Sequence, residues 1–373
     1  MRIGIDARMF GKKISGLGTY AQNLTENIFE IDNDNDYYIF LLEPDFLNYA
    51  PEQQNVQPIK TSSKWYSYSE QINFLRLVNS LQLDLMHFTH FNAPIFYNKP
   101  RITTIHDITP KFFPGHRQKS WWRKKAYALT LKTSLKKSNQ IITDSNFTKS
   151  EIIKYYKIPK EKISVVYLGI DSDFLVIENY GKIKELKDKH GLTKPFIFFI
   201  SAWRSHKNFA GLISAFEILK KEGFDYQLVL GGQEDPYYPN IRKRIEQSEF
   251  KNDIITPGFI SEEELPSFYN AAEIFVLPSF YEGFGLIGLE AMACGTAVAS
   301  SNAACLPEIL GEAALYFEPN NEKDMAEIIK QILTNQTLKL DLKQKGLQQI
   351  KKYSWPDCAK KTLEIYNKIL EQI

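Results

Sequence analysis

Tyr281-Glu282-Gly283-Phe284-Gly285-Leu286-Ile287-Gly288-Leu289-Glu290 is the stretch on which the fold turns. Before it, Glu273-Ile274-Phe275-Val276-Leu277-Pro278 is a short apolar run that reads as a buried strand. After it, as far as Ala293, the pattern reads as a helix. Strand, glycine turn, helix aims unpaired backbone N–H groups and the positive end of a helix at an anion. Glu290 falls one to two turns into that helix, and Glu282 sits on the loop before it. A carboxylate does not bind a phosphate, so the two acids point to something uncharged attached to the anion. Carboxylates are strong acceptors for hydroxyl donors, and a sugar nucleotide carries its diphosphate between two sugars, one for each glutamate. Taken alone, the segment would also fit an ordinary helix start with acidic flanks.

The same grammar repeats along the chain. Short apolar runs alternate with helical patterns at 2–6, 37–42, 83–88, 102–106, 140–143 and 163–167. A second set follows at 196–201, 226–230, 253–256, 273–277, 296–300 and 313–317. Strands without polar alternation, each followed by a helix, predict parallel sheets covered on both faces. A chain of 373 residues is also too long for one typical core. The expectation is an α/β protein of two Rossmann-like domains facing a central cleft, 1–175 and 176–354, joined near Gly169-Ile170-Asp171. Ligands of doubly wound sheets bind beyond the carboxyl ends of the strands, so each candidate residue is sought just after a predicted strand.

Composition narrows the class. With 43% hydrophobic and 24% charged residues the chain is globular and not disordered. Three cysteines (Cys294, Cys305, Cys358) are odd in number and lack CxxC spacing, which indicates neither a disulfide framework nor a zinc site. No leader-like apolar region opens the chain and no apolar run reaches membrane-spanning length, so a cytoplasmic protein is expected. Residues 1–175 carry 23 basic and 17 acidic side chains against 23 and 27 in the remainder. Much of that excess lies in 111–143, which has no acid: Arg117, Lys119, Arg123, Lys124, Lys125, Lys132, Lys136 and Lys137 are interleaved with Trp121, Trp122 and Tyr127. Such a stretch either docks on an anionic membrane, here the inner face of the cytoplasmic membrane, or is a solvated helix whose aromatics face the core. Nothing resembles a nucleic-acid recognition module.

Further candidates follow strand ends. Gly16-Leu17-Gly18-Thr19-Tyr20-Ala21 fits G-x-G-x-x-G/A, but about ten residues separate it from the first strand, so a loop closing over a phosphate or acceptor fits better than a dinucleotide fingerprint. Arg204 and Lys207, in Trp203-Arg204-Ser205-His206-Lys207-Asn208, lie at a strand-to-helix turn where cations oppose the helix dipole unless an anion binds. Gly258-Phe259-Ile260 and Gly231-Gly232 would let a planar base approach the backbone, and Ser261 to Glu264 reads as a capping box. At the end of a first-domain strand, His106 could contact an acceptor or sugar hydroxyl, with Asp107 orienting it or acting as base. Asp32 to Asp36 mimics a calcium loop but has Tyr37 where glycine is needed, and Asp171-Ser172-Asp173 lies in the linker, so no metal is predicted.

These residues resemble those of the retaining glycosyltransferases of family four, over nearly the full length of the chain. The likeness rests on the Glu-x7-Glu signature from Ser279 to Glu290, on Ala291-Met292-Ala293-Cys294-Gly295-Thr296, and on Leu306-Pro307-Glu308. His106-Asp107-Ile108-Thr109-Pro110 and the Trp203 to Asn208 segment are similar to a bacterial branch rich in mannosyltransferases of surface-polysaccharide assembly.

The resemblance implies the GT-B fold, with a helix from Trp355 (355–373) crossing back to the first domain. It implies hexose transfer from a nucleoside diphosphate sugar, GDP-mannose first, to a glycan or lipid-linked acceptor of lipopolysaccharide or capsule, with no cofactor or metal. Glu290 would hold the ribose and Glu282 the transferred sugar. Gly283 and the amides of Phe284, Gly285 and Leu286 would face the phosphate, and Lys207 would bind the diphosphate with help from Arg204. Phe259 and Ile260 would flank the base, His106 would face the sugar, and Gly16 and Gly18 would lie in the closing loop. Ala202 stands where the family often has an arginine. The same residues also admit a UDP-sugar enzyme of the same fold, a nucleotide-dependent oxidoreductase or a non-catalytic sugar-nucleotide-binding subunit.

Overall fold

A computed structural model describes residues 1–11, 16–115 and 120–372. The chain forms two compact units, Met1–Gly169 with Tyr353–Ile373, and Ile170–Lys352. In the first, seven parallel strands lie in the order β3-β2-β1-β4-β5-β6-β7. They are β1 (Arg2–Asp6), β2 (Asp36–Leu41), β3 (Val56–Lys60), β4 (Leu85–Phe88), β5 (Arg101–Ile105), β6 (Gln140–Thr143) and β7 (Ile163–Val165). β3 is absent from the sequence reading. Its Val56-Gln57-Pro58-Ile59-Lys60 carries a proline and polar alternation, which an edge strand tolerates because it bonds on one side only.

The second unit has six parallel strands in the order β10-β9-β8-β11-β12-β13. They are β8 (Phe196–Ile200), β9 (Gln227–Gly231), β10 (Ile254–Gly258), β11 (Ile274–Leu277), β12 (Val298–Ser301) and β13 (Ala314–Phe317). Every residue of β9, β11 and β12 is buried, as sheets covered on both faces require. Each sheet reverses its strand order at the centre, between β1 and β4 in one and between β8 and β11 in the other. The loops that leave these strands diverge and open a crevice at the carboxyl ends.

The last helix, Trp355–Leu370, belongs to the first unit and packs on the helix Gly16–Ile31, which buries Tyr20, Leu24 and Ile28 as one stripe. Ser354 caps it by accepting from the Asp357 N–H, and Tyr366 meets His87 Nδ1 at 2.6 Å. Gly169 passes so close to Trp355 that a Cβ there would lie 2.2 Å from its backbone nitrogen. In the basic stretch, the helix Trp121–Lys137 buries Leu131, Ser134 and Leu135. Trp121 and Trp122 are 50% and 66% exposed, so they do not face the core; Tyr127 packs on Phe91 at 5.1 Å. Arg117 and Lys119 lie outside the described residues. Among the described residues no helix is long and apolar enough to cross a membrane. Asp32 accepts bonds from Asp34 N, Asn35 Nδ2 and the Tyr37 hydroxyl, so the calcium-loop mimic is a self-bonded turn.

Candidate active site

The second unit carries its charged cluster at the central reversal. β8 leads into a loop anchored by buried Trp203, then a single helical turn, Ser205–Lys207, and then Asn208 in the left-handed region (φ 55°). Asn208 explains why the loop holds its shape. Its side-chain amide donates to the carbonyls of Pro278 (3.1 Å) and Pro319 (2.8 Å), and its oxygen accepts from Gly211 N–H to cap the next helix. The loop after β8 is thereby tied to the loop after β11. Across that tie, Lys207 Nζ donates to both carboxylate oxygens of Glu282, at 2.7 and 2.8 Å, and the Ser279 hydroxyl donates to one of them at 2.7 Å. Burial pushes the Glu282 carboxyl up, but the Lys207 ammonium and the Ser279 hydroxyl outweigh it and hold it below the usual carboxylate range. Burial next to Lys207 drives His206 down to about 4. Arg204 is exposed on the same turn and forms no ion pair among the described residues.

Beyond Glu282 the chain turns at Gly285 (φ 87°), where a Cβ would also meet Leu306 Cδ2 at 2.7 Å; the helix Leu286–Ala293 starts there. Its first amides, from Leu286 onward, therefore point out of a turn that only glycine fits well. Glu290 is in the second turn of this helix and accepts from the Tyr269 hydroxyl at 2.8 Å. Burial raises its carboxyl to about 7; the Tyr269 bond works against the shift, while Asp171 and Glu262 add to it. After β10, Gly258 (φ 76°) turns the chain so that Phe259 is 73% exposed while Ile260 is buried against the end of β9 near Gly231. Only half of the expected capping box forms. Ser261 Oγ accepts from Glu264 N–H, but the helix begins later, at Leu265, because Pro266 suits a first turn, and Glu264 pairs with Lys189.

In the first unit, His106 follows β5 and its partner is Asp144, which follows β6 and meets Nδ1 at 2.7 Å. Its Nε2 contacts the carbonyl of Thr89 at 2.9 Å. Asp107 does not orient this ring: its carboxylate accepts from Thr109 N–H at 2.7 Å and starts the helix Thr109–Phe112. Burial lowers the affinity of His106 for a second proton, yet the Asp144 carboxylate outweighs it and the ring sits above the ordinary histidine value. Gly16 opens the first helix, and Gly18 is required by packing, since a Cβ would stand 2.0 Å from the carbonyl oxygen of Gly11. Residues 12–15 of the expected closing loop lie outside the described residues.

Sequence reasoning missed Ser279, Asn208, Tyr269 and Asp144. Asp144 had a usable signal, because it follows the end of its strand as Asp107 follows the end of β5. Tyr269 had none: it reaches Glu290 from another helix.

Two parallel α/β units, each with its strand order reversed at the centre, have the architecture of the GT-B class of sugar-transferring enzymes. Two family models match the chain, one described as Glycosyltransferase Family 4 over residues 14–174 and one as Glycosyl transferases group 1 over residues 182–349. Together they span most of both units, and the chain belongs to family 4 of the glycosyltransferases. It is 28% identical over 373 residues to O-antigen chain mannosyltransferase B of Escherichia coli, covering 95% of this chain and 96% of that protein. It is 29% identical over 297 residues to O-antigen chain mannosyltransferase RfbU of Salmonella typhimurium, covering 79% and 76%. Sucrose-phosphate synthase from Thermosynechococcus elongatus shares the fold at a TM-score of 0.80, 17% identity and full coverage of both chains.

Proposed function

We propose that this glycosyltransferase moves a hexose, with mannose from GDP-mannose as first choice, to a hydroxyl of a glycan or lipid-linked acceptor in bacterial O-antigen or capsule assembly, with retention at the anomeric carbon. The observation that carries the site is the Lys207–Glu282 pair at the β8/β11 reversal, on the loop that leads into the helix bearing Glu290. The mannosyl choice is supported by the two O-antigen mannosyltransferases to which the chain is similar.

In this reading Lys207 stabilises the charge that develops on the departing diphosphate, with Arg204 and the amides at Gly285 and Leu286. Glu282, released from part of its pairing, accepts from hydroxyls of the transferred sugar, and Glu290 accepts from the ribose. The bond from the anomeric carbon to the phosphate oxygen breaks as the acceptor oxygen bonds on the same face. The departing phosphate oxygen takes the acceptor proton, so no separate base is required. Charge on the leaving group is met by lysine and arginine side chains instead of a metal. Phe259, the exposed ring after β10, lies against the base.

We also propose that the helix Trp121–Lys137 rests on an anionic membrane. Its exposed Trp121, Trp122 and Leu129 accompany six basic side chains and no acid.

The donor is tested by a thermal-shift panel of GDP- and UDP-sugars. A ligand at 100 times its dissociation constant adds roughly 2.7 kcal/mol to stability. GDP-mannose is expected to give the largest rise. A shift with a UDP-sugar and none with GDP-mannose would replace the donor.

A further inference from the structure

The backbone that carries Glu282 is tied on both sides. From the loop after β8, the Asn208 amide donates to the Pro278 carbonyl at 3.1 Å, and the His206 carbonyl accepts from Phe280 N–H at 2.8 Å. From the other side, the Ser301 hydroxyl at the end of β12 donates to the Ser279 carbonyl at 2.6 Å. Cys305, just beyond that strand, donates from Sγ to the Glu282 carbonyl at 3.2 Å. β8 and β12 are the two neighbours of β11 in the sheet, so the frame follows from the strand order. Ser279 sits inside it, and both it and Ser301 are fully buried.

Within this frame the Glu282 carboxylate has two partners of different kinds. Lys207 Nζ reaches Oε1 at 2.7 Å and Oε2 at 2.8 Å, and the Ser279 hydroxyl reaches Oε1 at 2.7 Å. An ionised carboxylate offers about four acceptor positions, two on each oxygen. Among the described residues Oε1 is therefore filled and Oε2 keeps a position open. Lys207 ends a long flexible stem and carries the charge that a diphosphate attracts, so a bound donor competes with Glu282 for it. Ser279 has no such freedom. Its side chain is one carbon long, its backbone is held from β12, and its hydroxyl makes no other bond among the described residues.

We propose that Ser279 is a positioning residue for recognition of the transferred sugar: its hydroxyl is the permanent partner that keeps the Glu282 carboxylate in place, with Oε2 open to a sugar hydroxyl, when Lys207 turns to the diphosphate. The inference rests on the glycosyl-transfer reading and divides that reading's two tasks between the two partners of one carboxylate. Lys207 serves the diphosphate. Ser279 serves the sugar without touching it.

The electrostatics of the site agree. Burial pushes the Glu282 carboxyl up, and the Lys207 ammonium and the Ser279 hydroxyl hold it down. The titratable groups acting on it are Lys207 and His206, both from the loop after β8, and burial next to Lys207 keeps His206 neutral above about 4. When the ammonium is shared with a diphosphate, the Ser279 bond is the contribution that stays. Without it, a carboxylate on a flexible side chain would follow the ammonium, and the buried charge would have no fixed donor.

The test is titration calorimetry of the full chain with two pairs of probes, GDP with GDP-mannose and UDP with UDP-glucose, carried on with the pair that binds. Ser279→Ala should weaken the nucleotide sugar by about 10-fold, the loss of one hydrogen bond to a charged group, and leave the bare nucleotide unchanged. The 3-deoxy and 4-deoxy forms of the nucleotide sugar complete a double-mutant cycle. One of them should bind the wild type more weakly than the parent, and that penalty should shrink in Ser279→Ala. The acid limit of nucleotide-sugar binding should move to higher pH in Ser279→Ala, because Glu282 then protonates more readily, and Ser279→Thr should restore it. Ser301→Ala cuts the frame but not the bond to the carboxylate, so it should lower the unfolding temperature and leave the ratio of the two affinities as it was. Equal weakening of nucleotide and nucleotide sugar, an unchanged deoxy penalty, an unmoved acid limit, or a Ser301→Ala variant that behaves like Ser279→Ala would each overturn the inference. If Glu282→Gln weakens the nucleotide sugar and Ser279→Ala does not, the role of Ser279 alone fails. If no pair binds, or Glu282→Gln binds like the wild type, the glycosyl-transfer reading of Glu282 fails and takes this inference with it.

Discussion

Glu290 allows a sharp prediction, because its raised carboxyl makes the stability of the second unit depend on pH in a direction opposite to most acidic residues. Its value is about 7 in the folded chain against 4.5 as the reference. A carboxyl that is harder to ionise when folded contributes stability below its unfolded value, and that stability is lost as pH rises through the folded value. Between pH 5 and 8 the wild type should therefore lose about 2.5 kcal/mol that Glu290→Gln does not lose, most of it before pH 7. The glutamine keeps an acceptor for the Tyr269 hydroxyl, so the comparison isolates the titration. For a unit of this size that is a difference of about 5–10 °C in the pH dependence of the unfolding temperature. Scanning calorimetry of both proteins across pH 5–8 measures it. Parallel curves for the two proteins would refute the claim that burial dominates at Glu290. A second consequence is specific to ribose binding. A hydroxyl donor favours the ionised carboxylate, so nucleotide binding at pH 7 should release up to about half a proton, seen by titration calorimetry in buffers of different ionisation enthalpy and absent in the variant.

Lys207→Ala should lower turnover by about 10²–10³-fold with folding intact, and wild-type turnover should persist in EDTA-treated protein; a strict need for added Mn²⁺ would count against charge neutralisation by side chains. Neutralising Arg123, Lys124 and Lys125 should reduce sedimentation with phosphatidylserine vesicles, by about 1 kcal/mol per charge removed, and unchanged sedimentation would discard the membrane role of that helix. Tyr366→Phe leaves His87 Nδ1 without its partner inside the first unit, so denaturant unfolding should show a loss of about 1–3 kcal/mol.

Much of the architecture was readable from the chain because parallel strands buried on both faces are continuous apolar runs. Twelve of the thirteen strands announced themselves this way, and the exception, Val56–Lys60, lies at a sheet edge where one face of the ladder is free and proline is allowed. Lys207 and Glu282 stand out in the sequence for a related reason: the loops after β8 and β11 border one crevice, so charged residues there contrast with glycine and apolar neighbours, and Glu290 follows in the helix after the second loop. The sequence of helix Trp121–Lys137 admits two readings because hydrophobic and basic residues alternate on it without a dominant face; packing puts Tyr127 inward and the tryptophans outward.

Local pattern, then, determined the strands, the order of the motifs and the chemical type of the residues at each strand end, since propensity and hydrophobic periodicity act over a few neighbours. Which of those side chains meet was decided only by the tertiary structure. Sequence adjacency offers Asp107 as the partner of His106, but β6 lies beside β5 in the sheet and delivers Asp144 from 38 residues away, while Asp107 bends back to its own helix start. Lys207 and Glu282 are 75 residues apart and touch because β8 and β11 are adjacent. Tyr269 reaches Glu290 across two packed helices. Hydrogen-bond partners and ionisation states depend on burial and on groups brought in by strand order, and neither quantity is encoded in any window of adjacent residues.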